Sequence, residues 1–252
     1  MIRIIVCVKP VREKYITNDF SDELCINPYD LYTLKCALAL KAKENIHITC
    51  ISMGPYESME TLIKCVAYGA DEVILLNDHK FVGSDTFATT YVLAKAIKHI
   101  GNYDLILCGN RAVDGETGQV PYGLAERLNI LCVPFCKEIL SLKNNKVIFK
   151  RDADNYIETV ESMLPIVMSF NHFTVDELKT NLQSIKNARS KSIPVWSATE
   201  IEADISLCGS CGSKTRVVDL KDAFPKRTPV VIEGSYRNIA RKIYEIIKTH
   251  EE

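Results

Sequence analysis

The sequence lacks several features that would place the protein in a common functional class. It has no apolar run long enough to cross a membrane, no stripe rich in Lys and Arg that suits a nucleic acid, and no GxxxxGK(S/T) phosphate loop. Positive and negative side chains nearly cancel, with 31 Lys and Arg against 32 Asp and Glu. What is left is a chain of 252 residues with an ordinary globular composition, long enough for one large domain with extensions.

Signals for secretion and for a metal site are also missing. The residues from Met1 to Val8 form an apolar strand with no leader before it, which predicts a cytoplasmic protein. A disulfide scaffold is not expected there, although the chain has ten cysteines. Cys208 and Cys211 form a single C-x-x-C pair, whereas structural zinc commonly needs two such pairs. We interpret them as an unpaired couple in a flexible arm and leave a redox pair open.

Strand-like and helix-like segments alternate in the first half of the chain. Each apolar run is followed by a stretch of helical periodicity. The four runs lie at residues 2–8, 46–53, 71–76 and 104–108. This order predicts an α/β fold with a parallel, Rossmann-like sheet and helices on both of its faces.

The pattern changes in the second half of the chain. Short β-like runs follow one another without helices, which predicts antiparallel strands added to the sheet. A helical stretch is predicted within residues 176–189, an extended arm over 190–226, and an amphipathic helix at 237–248. We therefore expect a nucleotide-binding α/β domain over residues 1–189 and a C-terminal arm with a helix over 190–252.

The fourth apolar run leads into a polar turn with two glycines. Gly115 and Gly118 let the backbone adopt angles that other residues resist, and let a ligand come close. The next helix is expected to begin near Thr117, so that its free N–H groups and positive dipole end suit a phosphate. An ordinary βα loop with a Thr cap explains the spacing equally well. Because ligands bind at the carboxyl ends of parallel strands, we expect Lys9, Met53-Gly54 and this turn to converge there.

The amino-acid sequence of the turn resembles the nucleotide-binding loop of electron-transfer flavoprotein beta subunits. It reads Asp114-Gly-Glu-Thr-Gly-Gln-Val120. Other fragments resemble that family in the same order and spacing. They lie at residues 8–11, 27–30, 53–55, 69–71, 83–89, 93–97, 151–154, 158–159, 164–165 and 212–217. The chain departs from the pattern at Pro121 and Tyr122, where the family has Gly and Pro. It also lacks the family's Pro-Arg pair before Leu182, which implies a dedicated partner dehydrogenase.

The resemblance implies one half of a heterodimer, completed by an alpha subunit, that passes electrons between a dehydrogenase or NADH and other acceptors through FAD. The beta site would hold AMP or, in bifurcating relatives, a second FAD that takes a hydride from NADH. The turn and residues 194–201 are more similar to the bifurcating branch. Residues 190–252 would pack on the alpha subunit.

The resemblance also implies a set of cofactor-binding residues, with no catalytic or metal-binding residue among them. Backbone N–H groups of the turn would hold phosphate, Lys9 would offset its charge, Thr117 and Gln119 would add hydrogen bonds, and Asp30 or Asp114 would accept ribose or adenine donors. The full set is Cys7, Val8, Lys9, Asn27, Pro28, Tyr29, Asp30, Met53, Gly54, Asp85, Thr86, Asp114, Gly115, Glu116, Thr117, Gly118, Gln119 and Val120.

Simpler explanations stand beside these assignments. Asn27-Pro28 also suits a plain helix start, Asp85 a first-turn acid, and Cys7 strand packing. Two other classes of protein compete as well. One is a nucleotide-binding regulatory protein resembling universal stress proteins, but this chain is longer than that module needs. The other is a nucleotide hydrolase, but the phosphate-binding loops known from such enzymes are missing from the sequence.

Overall fold

The computed structural model describes residues 1–16, 21–174, 176, 178–219 and 231–248. Within them the chain forms eleven strands and seven α-helices. The strands are β1 (Ile2–Cys7), β2 (Pro10–Arg12), β3 (Leu24–Ile26), β4 (Ile46–Met53), β5 (Glu72–Leu76), β6 (Leu105–Gly109), β7 (Leu131–Lys143), β8 (Lys146–Ala153), β9 (Tyr156–Met163), β10 (Ile166–Phe170) and β11 (Val195–Trp196). The helices are α1 (Pro28–Lys41), α2 (Met59–Tyr68), α3 (Thr86–Ile100), α4 (Val120–Leu128), α5 (Leu182–Ser190), α6 (Gly209–Gly212) and α7 (Tyr236–Lys248).

Nine of these strands form one sheet in the order β11-β5-β4-β1-β6-β10-β7-β8-β9. The pairs from β11 to β7 are parallel. Among β1, β4, β5 and β6, a helix between consecutive strands returns the chain to the same end of the sheet. β8 and β9 join antiparallel through short turns. The predicted α/β fold with added antiparallel strands is confirmed. β2 and β3 form a separate antiparallel ribbon between β1 and α1.

The core consists of two layers, one on each face of the sheet. Central strands are apolar along their length because helices cover both faces. In β1, Ile4 and Val6 pack in the layer that contains residues of α1 and α2. Ile5 and Cys7 pack in the opposite layer, with residues of α3 and α4. The alternation of strand side chains thus ties the four helices to fixed positions around the carboxyl ends of the strands.

The predicted start of one helix is wrong. α4 begins at Val120 rather than near Thr117, because Glu116 and Gly118 have φ angles of 50° and 63°, which a right-handed helix does not allow. The helix predicted within residues 176–189 is observed as α5, which begins at Leu182, where the Asn181 side chain accepts the Ser184 N–H.

The chain divides into two compact units, Met1–Arg216 and Val217–Glu252. The first unit extends past the predicted boundary at residue 189, because residues 195–216 are packed. β11 pairs with β5, and Ala198, Ile201 and Cys208 are buried in the layer that contains α3 and α4. The extended arm predicted over residues 190–226 is therefore wrong for residues 195–216, as is the flexible setting expected for Cys208 and Cys211, and residues 220–226 lie outside the described part of the chain.

The described part of the second unit contains α7. This helix covers the amphipathic segment predicted at 237–248 and has no buried residue. Ile243 and Ile247 are about half exposed, at 45% and 55%. Across the described residues, no helix is both long and apolar enough to cross a bilayer.

Candidate functional site

The carboxyl ends of β1 and β6 meet the first turns of α1, α3 and α4 at one edge of the sheet. β1 and β6 are direct neighbours, with Val6 opposite Leu107. Lys9 Nζ, just after β1, lies 2.6 Å from Asp114 Oδ1 in the turn after β6. The Thr86 hydroxyl, at the start of α3, donates to the Thr117 hydroxyl at 3.2 Å. The predicted convergence of Lys9 with this turn is thus confirmed.

Asp30 holds the two strand ends together from beneath. Its side chain is buried, Oδ2 accepts the Lys9 N–H at 2.8 Å, and Oδ1 accepts the Gly109 N–H at 3.0 Å. Burial raises the pKa of Asp30 to about 7, although the two amide donors oppose that shift. Both oxygens bind backbone, so the arrangement makes Asp30 a support for the edge rather than an acceptor that faces a ligand.

Asn27 supports the turn directly. Its side chain was expected as a helix cap, but it makes no cap hydrogen bond to α1. Instead Nδ2 donates to the Arg111 carbonyl at 2.9 Å, and Oδ1 accepts the Val113 N–H at 3.3 Å. An amide satisfies one donor and one acceptor of a neighbouring loop at once. Asn27 thereby fixes the first half of the turn against the start of α1.

Arg111 is the residue of this site that the sequence patterns missed. Its Nε donates to the Tyr29 hydroxyl at 2.9 Å, and its guanidinium lies 5.4 Å from the Tyr29 ring centre. The bond to Tyr29 raises the pKa of Arg111, and Glu116 adds to that shift. The sequence signal that could have identified Arg111 is its position in the loop just before the glycine-containing motif at residues 114–120. With Lys9, Arg111 places a second cation beside the turn.

The turn has a glycine with a positive φ angle and backbone N–H groups that make no hydrogen bond within the described part of the chain. Gly118 has a φ of 63°, which favours glycine, while Gly115 has an ordinary φ. The special-angle role predicted for both glycines therefore applies to Gly118 alone. Within the described part of the chain, the N–H groups of Thr117, Gly118 and Gln119 have no hydrogen-bond acceptor. Three free donors that precede a helix suit an oxyanion.

Asp85 joins the start of α3 to a distant segment. Oδ1 caps the helix by accepting the Ala88 N–H at 3.0 Å, and Oδ2 accepts the N–H groups of Lys214 at 2.7 Å and Thr215 at 2.8 Å. Burial raises the pKa of Asp85, but these donors together lower it to about 2. Asp85 is therefore the N-cap of α3, one residue before its first turn, and the anchor of residues 213–215.

The other predicted residues lie at the same edge with different surroundings. Met53-Gly54 ends β4, but the Gly54 carbonyl accepts from the Asn77 side chain at 2.8 Å, and its N–H donates to the Leu76 carbonyl. Cys7 is buried beside Cys108 in the core. Val8 is buried, Pro28 opens α1, Gln119 precedes α4, and Val120 is its first residue.

No group of three or more His, Cys, Asp or Glu side chains suited to a metal ion occurs among the described residues. Cys208 and Cys211 therefore stand as a pair without further metal ligands there. This edge of the sheet is suited to binding an anion. Lys9 and Arg111 provide positive charge, the turn provides free N–H groups, and the buried Asp30 side chain supports the strand ends beneath them.

The chain is similar to known proteins over most of its length. A family model described as electron transfer flavoprotein domain matches residues 17–201. Protein FixA of Azorhizobium caulinodans is 33% identical over 230 residues, which cover 85% of this chain and 82% of FixA. Electron transfer flavoprotein subunit beta of Clostridium acetobutylicum is 34% identical over 231 residues, 90% of this chain and 86% of its own. The caffeyl-CoA reductase-Etf complex subunit CarD of Acetobacterium woodii is 33% identical over 193 residues, which cover 76% of this chain and 73% of CarD.

Proposed function

The chain belongs to the electron transfer flavoprotein family as a beta subunit, and on this premise we propose that the turn at residues 114–120 holds the phosphate of an adenine nucleotide. The protein is an electron-transfer component, and its relatives do not favour the alternative of a regulatory protein resembling universal stress proteins. The nucleotide would lie across the edge formed by residues 7–9, 27–30 and 114–120.

The proposal rests mainly on the presence of glycine at position 115. A Cβ built on Gly115 would meet only Lys9 Nζ, at 4.0 Å, and the φ angle there suits any residue. The fold itself therefore does not require glycine at this position. The Cα is exposed beside Lys9 and just before the free N–H groups of residues 117–119. A phosphate placed there would come close to the backbone, which explains a glycine that the fold leaves unexplained.

Different groups at this edge would bind different parts of the nucleotide. The N–H groups of residues 117–119 and the start of α4 would donate to phosphate, and Lys9 would offset its charge in competition with Asp114. The hydroxyls of Thr86 and Thr117 lie together at the mouth of the turn and would bind a second polar group. Asp30 would keep both strand ends in place from below. FAD supplies redox chemistry when it is bound, and the protein binds and orients it.

We propose a second FAD, rather than AMP, as the occupant of this edge, with NADH as the hydride donor of the complex. This choice rests on the resemblance of the turn and of residues 194–201 to bifurcating relatives. The relative CarD is a subunit of a complex named for a caffeyl-CoA reductase, which supports a dehydrogenase-like partner for this chain as well. The cytoplasmic location expected from the sequence remains a prediction.

An alpha subunit is the expected direct partner. We propose that residues 190–252 supply part of the contact, through exposed isoleucines of α7 such as Ile243 and Ile247. Apolar side chains on one side of a helix are commonly buried against a second chain. The partner dehydrogenase would dock elsewhere, without the Pro-Arg pair of the family.

Cofactor stoichiometry tests the proposal at the level of the complex. The chain is produced together with its alpha subunit, the complex is denatured, and FAD and AMP are counted per heterodimer. We expect two FAD and no AMP, with bleaching of the flavin by NADH. One FAD with one AMP would make the turn an AMP site and would reject the bifurcating assignment. A complex that contains no adenine nucleotide beyond the alpha subunit's FAD would reject the nucleotide proposal itself.

Gly115→Ala tests the turn as the phosphate site. We expect the variant to fold with an unchanged free energy of unfolding, because the added methyl group has room. Nucleotide affinity of the heterodimer should fall roughly tenfold or more, the equivalent of about 1.4 kcal/mol, because the methyl group occupies the path of the phosphate. Titration calorimetry with AMP and with FAD measures the affinity.

Gly101→Ala is the control, because an added Cβ there likewise has room and meets no atom within 4 Å, although its φ is 86°. Gly101 follows α3, at the opposite end of that helix from the site. This variant should lose some stability through its backbone angle and keep full affinity. A folded Gly115→Ala protein with wild-type affinity for both nucleotides would show that phosphate does not approach this turn.

A further inference from the structure

Cys208 and Cys211 have no role in the proposed nucleotide site. Cys208 is 1% exposed and packs in the core layer that contains residues of α3, whereas Cys211 is exposed. A helical turn separates them: the Gly212 N–H donates to the Cys208 carbonyl at 2.9 Å. Cα atoms three residues apart in such a turn are about 5 Å from each other, which is within the range that a disulfide spans.

The two thiols differ in what holds them. The Cys208 thiol donates to the Asp204 carbonyl at 3.3 Å. Burial raises the pKa of Cys208, and the negative charges of Asp204 and Asp78, together with Cys211 itself, add to that shift. The exposed thiol can meet a reagent from solution, while the buried one is protected.

The segment that follows Cys211 is attached to the start of α3. The Ser213 hydroxyl accepts the Asp85 N–H at 2.8 Å. Lys214 and Thr215 donate their N–H groups to Asp85 Oδ2, and the Thr215 hydroxyl donates to the same oxygen at 3.0 Å. These bonds lie one residue before Thr86, which touches the turn proposed to bind phosphate.

We propose that Cys208 and Cys211 are a reversible dithiol–disulfide pair, and that their oxidation strengthens the attachment of residues 213–215 to the start of α3. The oxidant is a low-molecular-weight disulfide such as oxidised glutathione. The Cys211 thiolate attacks one of its sulfurs, forming a mixed disulfide and releasing one glutathione thiolate. Cys208 then loses its proton and attacks the Cys211 sulfur, which releases the second glutathione. The protein loses two electrons and two protons, and one small disulfide becomes two thiols.

The bond would restrain the segment because one of its ends is already fixed. Cys208 is anchored in the core, and the covalent link would tie the exposed Cys211 to it. Local openings that break the Asp85 bonds of Lys214 and Thr215 must lift the chain just after Cys211. Those openings should become rarer once Cys211 is tied down.

Differential alkylation of the full-length protein tests the bond. The reduced protein is treated with oxidised glutathione, free thiols are blocked with N-ethylmaleimide, and the peptides are weighed. We expect Cys208 and Cys211 joined to each other and the other eight cysteines blocked as thiols. Cys208→Ser should trap glutathione on Cys211, and Cys211→Ser should leave Cys208 as a thiol. Cys36→Ser, which removes a partly exposed thiol on α1, should behave as the wild type.

Stable glutathione on Cys211 of the wild-type protein, or both thiols unreacted, would overturn the proposal. Hydrogen exchange then tests the coupling. Exchange of the Lys214 and Thr215 amides should be several-fold slower in the oxidised protein, while the Asn110 amide, which donates to Phe170, stays unchanged. Equal or faster exchange at residues 214 and 215 would overturn the coupling. Neither measurement involves a nucleotide, so both are independent of the proposed nucleotide site.

Discussion

Asp30→Ala is expected to lower the free energy of unfolding by about 3–5 kcal/mol at neutral pH, since each buried donor left unpaired costs about 1–3 kcal/mol. The carboxylate accepts the N–H groups of Lys9 and Gly109, and alanine can accept neither. No other side chain bonds to both strand ends in the described structure. Urea denaturation at neutral pH measures the loss.

The pH dependence of this loss distinguishes Asp30 from an ordinary surface acid. Burial raises its pKa from 3.8 to about 7, so between these values the folded protein binds a proton that the unfolded chain does not. The stability contributed by this proton is complete below about pH 4 and is lost as the pH rises through about 7, and a shift of this size corresponds to about 4 kcal/mol. The difference in unfolding free energy between wild type and Asp30→Ala should therefore widen as the pH is lowered from 8 to 5.

Asp22→Ala is the control for this experiment. Asp22 is exposed, and a hydrogen bond from Lys14 lowers its pKa. Because this pKa lies below the ordinary value of 3.8, the contribution of Asp22 is lost only at a more acidic pH, so the difference between wild type and Asp22→Ala should stay constant between pH 8 and 5. A difference for Asp30→Ala that does not change between pH 8 and 5 would contradict the raised pKa of the buried carboxyl group.

Gly109→Ala is expected to destabilise the protein by about 3 kcal/mol, the upper part of the usual range for overpacking a core. A Cβ at this position would overlap Asp30 Oδ1 and would lie 2.7 Å from Tyr29 Cβ and 2.9 Å from the Asp30 backbone nitrogen. The nitrogen belongs to the first turn of α1, which cannot rotate away as a side chain can. Denaturation in urea again provides the measurement.

Gly115→Ala serves as the control for Gly109→Ala, since Gly109 ends β6, Gly115 lies in the turn that follows it, and only Gly109 is crowded. Gly115→Ala should remain within about 0.5 kcal/mol of the wild type. The double variant Asp30→Ala/Gly109→Ala should lose less than the sum of the single losses, because removal of the carboxylate relieves one of the overlaps. A Gly109→Ala protein as stable as the wild type would mean that β6 and α1 do not approach each other as described.

The sequence patterns predicted the sheet well, because long apolar runs such as those of β1 and β6 form only where both faces are covered. The start of α4 was predicted too early. The polar residues before it suit a first turn, but the positive φ angles of Glu116 and Gly118 depend on contacts of the folded turn. Propensity alone does not contain that information.

Contacts between distant residues were the second source of error. Asn27 has the right chemistry for a cap, yet its amide binds a turn that is 84 residues away at Arg111. Arg111 was missed for the same reason, since Tyr29 becomes its partner only in the folded chain. Residues 195–216 gave no periodic signal because single side chains, among them Ala198 and Cys208, hold them in place. Packing of that kind leaves no repeat in a sequence.

The position of β10 in the sheet has a consequence for the chain during its synthesis. β6 pairs with β1 on one side and with β10 on the other, and β10 also provides the partner of β7. The ribosome makes β10 after β7, β8 and β9. Until Phe170 has emerged, the nascent chain carries β6 with one edge open, and an open apolar edge pairs readily with other chains. Translation that pauses between residues 130 and 165 would therefore expose the protein to aggregation at the centre of its own sheet.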